Sequence, residues 1–107
     1  MRQAQIFRNG ILAGLLTEES QESYLFRYDD NFFSDTKQLA VSLTLPKTKQ
    51  EYRSKFLFPV FSNMLSEGAN RKVQSRSLKI DEKDDFGILL ATAQFDTIGA
   101  ITVKPIQ

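Results

Sequence analysis

The sequence contains no histidine, no cysteine and no tryptophan. Without His or Cys there is no Ser-His-Asp triad, no thiolate nucleophile and no ordinary zinc site. Histidine is also the usual general acid or base near neutral pH, so only carboxylate, Lys or Tyr chemistry stays open. A chain without Cys has no disulfide framework, which fits a reducing cytoplasm. Long apolar runs are also missing; none approaches the ~20 residues of a membrane span. Residues Met1 to Phe7 lack the apolar stretch of a secretion signal. Charge of one sign is missing as well. Fourteen Lys plus Arg face thirteen Asp plus Glu, a formal net charge of +1. That balance argues against general nucleic-acid binding, which needs a basic face. The expectation is a cytoplasmic protein with no membrane and no direct nucleic-acid contact.

What is present fits one domain. A chain of 107 residues buries roughly 65% of its unfolded surface, enough for a core without staples. It is too short for a complete kinase or a TIM barrel. No repeat, low-complexity tract or linker divides it, so residues 1–107 are read as a single unit.

The first third reads as a β-meander. Ala4 to Arg8 is a strand candidate, Asn9-Gly10 a hairpin signal, and Ile11 to Leu16 the return strand. Thr17 to Ser23 is polar and reads as a turn, and Tyr24 to Tyr28 as a third, aromatic strand. Asp29-Asp30-Asn31 opens a loop or short helical turn through Gln38. Ala40 to Leu45 alternates with period two, so Val41, Leu43 and Leu45 are expected to face the core of a strand ended by Pro46. Lys47 to Lys55 is polar and reads as a mobile excursion. Phe56 to Leu65, with Pro59 in its first turn and Gly68 past its end, reads as a helix. Asn70 to Leu78 is a second helix candidate, and Asp84 or Asp85 caps a third through Leu89, Leu90 and Ala93. Ile98 to Lys104 closes the chain as a strand ended by Pro105. The fold class is α+β: an antiparallel sheet with about three helices packed on it.

The candidate chemistries are sparse. Asp85-Phe86-Gly87 spells the kinase metal-binding tripeptide, yet the Gly-rich loop, strand Lys and catalytic loop it works with are absent. A helix cap followed by a core Phe is the plainer reading. Arg71, Lys72, Arg76 and Lys79 place part of their charge on one helical face, to meet phosphate or an acidic partner, or simply water. Asp81 to Asp85 lacks calcium-loop spacing. Asp29, Asp30 and Asp35 could in principle be paired carboxylates, but sequence neighbours in a turn more often satisfy local backbone N–H groups. The dense apolar stretch Phe56, Phe58, Phe61, Met64 and Leu65 must give one face to the core, and what remains exposed would suit a protein partner. The residues alone point to a non-catalytic α+β domain that binds protein.

Several blocks in order resemble a known family. Asn9-Gly10 with Ala13-Gly14-Leu15, then Tyr24 to Tyr28, then Ala40 to Pro46, are similar to the N-terminal subdomain of HipA-type serine/threonine kinase toxins. Phe61 to Gly68 with Arg71, and Asp85 to Leu90 followed by Asp96 to Val103, continue the resemblance. Ser66 stands where the family often has Pro, Met64 where it often has Leu, and Gln94 where Gly is common. The resemblance implies one of two roles. One is a separate small subunit, HipS, that binds and inhibits a HipT-type kinase in a three-component system with a DNA-binding HipB. The other is a non-inhibitory subdomain that completes the fold of a HipA or HipT kinase. The N-terminal Met1 and the short tail after Pro105 favour the former. The implied kinase-binding residues are Phe61, Asn63, Met64, Leu65, Ser66 and Glu67, with Arg71 as a rim charge. ATP and Mg²⁺ belong to the kinase in this family, so no cofactor is expected here.

Overall fold

A computed structural model describes residues 2–20, 22–63, 76, 79–81, 83–92 and 101–106. Five strands, β1 (Arg2–Arg8), β2 (Ile11–Ser20), β3 (Ser23–Tyr28), β4 (Glu51–Ser54) and β5 (Ile101–Ile106), form one sheet in the order β4-β3-β2-β1-β5. Every neighbouring pair is antiparallel. Three helices are described: α1 (Asp30–Ser34), α2 (Pro59–Ser62) and α3 (Asp85–Thr92). The α+β fold class expected from the residues is the one found.

The first hairpin follows from its turn residues. Asn9 and Gly10 have φ of 52° and 79°, and Arg8 pairs directly with Ile11. Positive φ at both central positions gives the twist a two-residue hairpin needs. Ile6 then pairs with Gly14 and Phe7 with Leu12, so Ala13 bulges out of the ladder. Gly14 is required by space: an added Cβ would meet the Arg27 carbonyl and lie 2.8 Å from the Phe26 ring.

One face of the sheet carries the core, with Ala4, Ile6, Leu16, Phe26, Tyr28 and Val103 fully buried. The three inward aromatics of β3 each seat a different helix. Tyr24 packs on Phe86 of α3 with ring centres 6.1 Å apart. Phe26 meets Phe61 of α2 at 6.0 Å. Tyr28 stacks on Phe32 of α1 at 5.9 Å, with planes nearly parallel. The period-two alternation of β3 therefore sets the spacing of the three described helices.

The structure corrects several expectations. Residues 40–45 form no ladder strand; Ser42 and Leu45 make an isolated bridge around a tight turn. The Leu45 N–H donates to the Ser42 carbonyl (3.1 Å), and the Thr44 N–H to the Ser42 hydroxyl (3.2 Å). Val41 and Leu45 are buried as expected, but Leu43 at the tip is 99% exposed. The Tyr28 hydroxyl accepts the Val41 N–H (3.0 Å) and donates to the Leu45 carbonyl, supplying the hydrogen bonds a sheet would otherwise provide. Residues 51–54, expected within a mobile excursion, are edge strand β4. Strand β2 runs on through Ser20, where a turn from Thr17 was expected. Helix α2 begins only at Pro59, because Phe58 is extended (φ −60°, ψ 141°). Strand β5 runs past Pro105, which an edge strand tolerates. The Asn70–Leu78 helix candidate, Arg76 apart, lies outside the described residues, as do Ala93 and the start of the closing strand at Ile98.

Candidate functional site

Described side chains near α2 range from core to solvent, with Val60 and Ser62 half-buried. Leu57, Phe58 and Phe61 are buried, with Phe58 and Phe61 edge-to-face at 6.3 Å. Phe61 is 0% exposed, so it is a core residue and offers no surface to a partner; this removes it from the kinase-binding set. Asn63, at the C-terminal cap of α2, is exposed. Met64, Leu65, Ser66, Glu67 and Arg71 lie outside the described residues. Phe56 is 78% exposed. The Ser54 hydroxyl accepts the Phe56 N–H (3.1 Å), closing a turn at the end of β4 that holds this ring in solvent. Leu39 and Leu43 are also exposed, on the loop pinned by Tyr28. Large apolar side chains held in water suit a protein partner.

A dense polar cluster joins the start of β1 to β2 and to the residue ahead of α3. The Arg2 guanidinium bonds Glu18 on β2 through two contacts of 2.8 and 2.9 Å. It also bonds Asp84, ahead of α3, through two contacts of 2.9 and 2.8 Å. Its plane lies over the Phe86 ring at 5.3 Å. Asp84 also accepts the Gly87 N–H at 3.1 Å, capping α3 as expected from the sequence. The Arg2 hydrogen bond holds the Asp84 carboxyl below its ordinary value, against the opposing pull of desolvation. The same contacts push the Arg2 guanidinium up. Burial, aided by the charge of Glu18, raises Tyr24 beside them. A carboxylate whose ionised form is favoured by the guanidinium it bonds, and a guanidinium bonded to two carboxylates, contribute to the fold and are poorly suited to proton transfer. An open cavity of about 650 Å³ adjoins the cluster, lined by Arg2, Glu18, Glu22, Tyr24, Asp81 and Asp84 among others. Among the described residues no three acidic side chains are grouped to hold a metal ion.

The aspartates and the tripeptide singled out in the sequence have structural partners. Phe86 of the Asp85-Phe86-Gly87 tripeptide is fully buried against Tyr24. Asp29 caps α1 by accepting the Asn31 N–H (3.2 Å). Asp30 bonds Arg27 (3.1 Å) and Gln50 (2.6 Å), and Asp35 accepts the Lys37 N–H (3.0 Å). Of the basic group, Arg76 and Lys79 are exposed, while Arg71 and Lys72 lie outside the described residues. Sequence reasoning missed Arg2, Glu18 and Tyr28, whose partners lie far along the chain. It also missed Leu43 as a surface residue. No described helix is long and apolar enough to cross a membrane.

Comparison with known proteins places this arrangement. Residues 4–104 match the family model described as the HipA N-terminal domain. A solved structure titled N-terminal domain of HipA toxin superposes with a TM-score of 0.72 at 26% identity, covering 100% of this chain and 94% of that one. A Sinorhizobium fredii protein named "Putative kinase Y4mE" is 26% identical over 105 residues, which are 98% of this chain and 25% of that protein. A Haemophilus influenzae protein named only as uncharacterized is 27% identical over 104 residues, 97% of this chain and 92% of its own length. This chain thus spans a quarter of one relative and nearly all of the other.

Proposed function

The chain belongs to the HipA N-terminal domain family, and from that premise we propose that it acts as a non-catalytic, HipS-like lobe that docks on a HipT-type serine/threonine kinase and restrains it. The observation that carries the reading is a family match over residues 4–104, in a fold whose densest described polar cluster, Arg2 with Glu18 and Asp84, is committed to structure. Action then falls to surface fit. The exposed Phe56 and Leu43 supply apolar contacts, and Asn63 opens the segment through Met64, Leu65, Ser66, Glu67 and Arg71 that the family resemblance implies for kinase binding. A bulky side chain seated in a kinase pocket, with neighbours excluding water, typically carries about 2 kcal/mol or more of the binding energy. In this reading ATP and Mg²⁺ stay with the kinase, a HipB-like protein contacts DNA, and the assembly works in the cytoplasm.

A second reading is favoured by the S. fredii relative, which carries the kinase name and extends well beyond the matched quarter. There the lobe completes the fold of a kinase and exerts no inhibition. Co-expression with a HipT-type kinase from the same genome separates the two. Restored growth together with co-purification supports restraint. Co-purification with higher kinase solubility and activity supports the structural role. Absence of any association overturns both.

A further inference from the structure

Strand β4 is an outer strand of the sheet, and no described residue pairs with its far side. The Tyr28 N–H donates to the Gln50 carbonyl at 2.9 Å, which makes Tyr28–Gln50 a hydrogen-bonded pair. Antiparallel ladders alternate, so Phe26–Tyr52 is bonded as well, while Arg27–Glu51 and Leu25–Arg53 are not. Glu51 and Arg53 therefore turn their backbone N–H and C=O groups away from β3, towards the open edge. Their side chains share the face opposite the core, and both are exposed. Glu51 lies 3.7 Å from Arg27, and Arg53 bonds Glu19. These exposed pairs contribute little to stability, but they hold both charges beside the edge.

We propose that this edge is a self-pairing site, at which a second copy of the chain adds its own β4 antiparallel across a two-fold axis through Tyr52. Three features favour a copy of the same chain. In that register Glu51 faces Arg53 of the second copy and Arg53 faces its Glu51, so both cross-strand pairs are opposite in charge. Those two positions are the ones whose backbone groups point outward, so charge register and hydrogen-bond register coincide. The opposite edge, β5, carries Pro105, which has no N–H to donate. Slipping the register by two residues either way brings Glu51 against Glu51 or Arg53 against Arg53. Further out, Lys49 meets Lys55 of the second copy, which confines the contact to the strand and keeps the dimer weak and concentration-dependent.

Sedimentation equilibrium of the purified chain over a wide concentration range tests this. The wild type should show a monomer–dimer equilibrium. Glu51→Arg makes both cross-strand pairs like-charged, as does Arg53→Glu, and each should weaken self-association by about tenfold or more. Mixing the two variants restores both opposite-charge pairs, so the mixture should associate as the wild type does. Circular dichroism checks that each variant is folded. As a measurement without substitution, Glu51 and Arg53 amides in the wild type should gain protection from hydrogen exchange as concentration rises. A chain that stays monomeric throughout, a dimer indifferent to the charge reversals, or a mixture that fails to associate would overturn the proposal.

Discussion

The Tyr28 hydroxyl accepts one backbone N–H and donates to one carbonyl, both from the loop between α1 and β4. Its ring meanwhile stacks on Phe32 and meets Phe26 edge-on at 4.9 Å. Tyr28→Phe keeps the ring and strands two buried backbone groups, so it should lose about 1–3 kcal/mol of stability in urea titration. The Asp84 carboxyl gives a pH signature. Its value is lowered in the fold, chiefly by the hydrogen bond to Arg2. Its contribution is therefore present above the ordinary carboxylate value and is lost as pH falls through the lowered one. Asp84→Asn keeps a good helix cap but removes the charge, and should cost about 1 kcal/mol at pH 7. The difference between wild type and Asp84→Asn in urea midpoint should shrink steadily from pH 5 towards pH 2, about the range over which a depressed carboxylate titrates. A gap that stayed constant with pH would place the charge of Asp84 outside the fold's energetics.

At the scale of elements, α2 is four residues long and stands through Phe58 and Phe61, not through helical propensity. Phe61→Ala should therefore cost about 3–5 kcal/mol in thermal or urea unfolding. Phe56→Ser, on a 78% exposed side chain, should leave stability within about 0.5 kcal/mol. It should, however, weaken capture of a HipT-type kinase in a pull-down, and unchanged capture would remove Phe56 from the docking surface. Much of this level was legible in the residues. Asn9-Gly10 marked the first turn, the aromatics of 24–28 marked β3, and the acidic residues before Phe86 marked the start of α3. Strand β4 was not legible, because an edge strand reading Glu-Tyr-Arg-Ser has charge where a central strand has apolar alternation. The alternation at 40–45 misled for the opposite reason. Val41 and Leu45 flank or close the Ser42–Leu45 turn and are buried, so these two fit a strand and a turn alike, and only the exposed Leu43 separates the two readings. Arg2 was illegible as a site residue because its two partners lie 16 and 82 positions away.

At the scale of the molecule, the two ends of the chain are bound into one sheet. Strand β5 pairs with β1 along its whole length, from Arg8–Ile101 to Gln3–Ile106, and Arg2 ties the start of β1 to α3. The meander of β1, β2, β3 and β4 is therefore incomplete until the last strand arrives. Ile101 and Val103 are buried on Ile6 and its neighbours. Each such side chain contributes about 1.5–3 kcal/mol when fully buried, and a domain of this size has in all about 5–15 kcal/mol of stability. Ending the chain before Ile101 should remove roughly 3–6 kcal/mol from burial alone, and it also strips the ladder bonds of β1. The truncated chain should then lose its cooperative unfolding transition, as followed by circular dichroism. Supplying residues 101–107 as a separate peptide should restore the transition, with a midpoint that rises with peptide concentration. A truncated chain that unfolds at the wild-type midpoint would mean that β5 is an ornament on a core already complete without it.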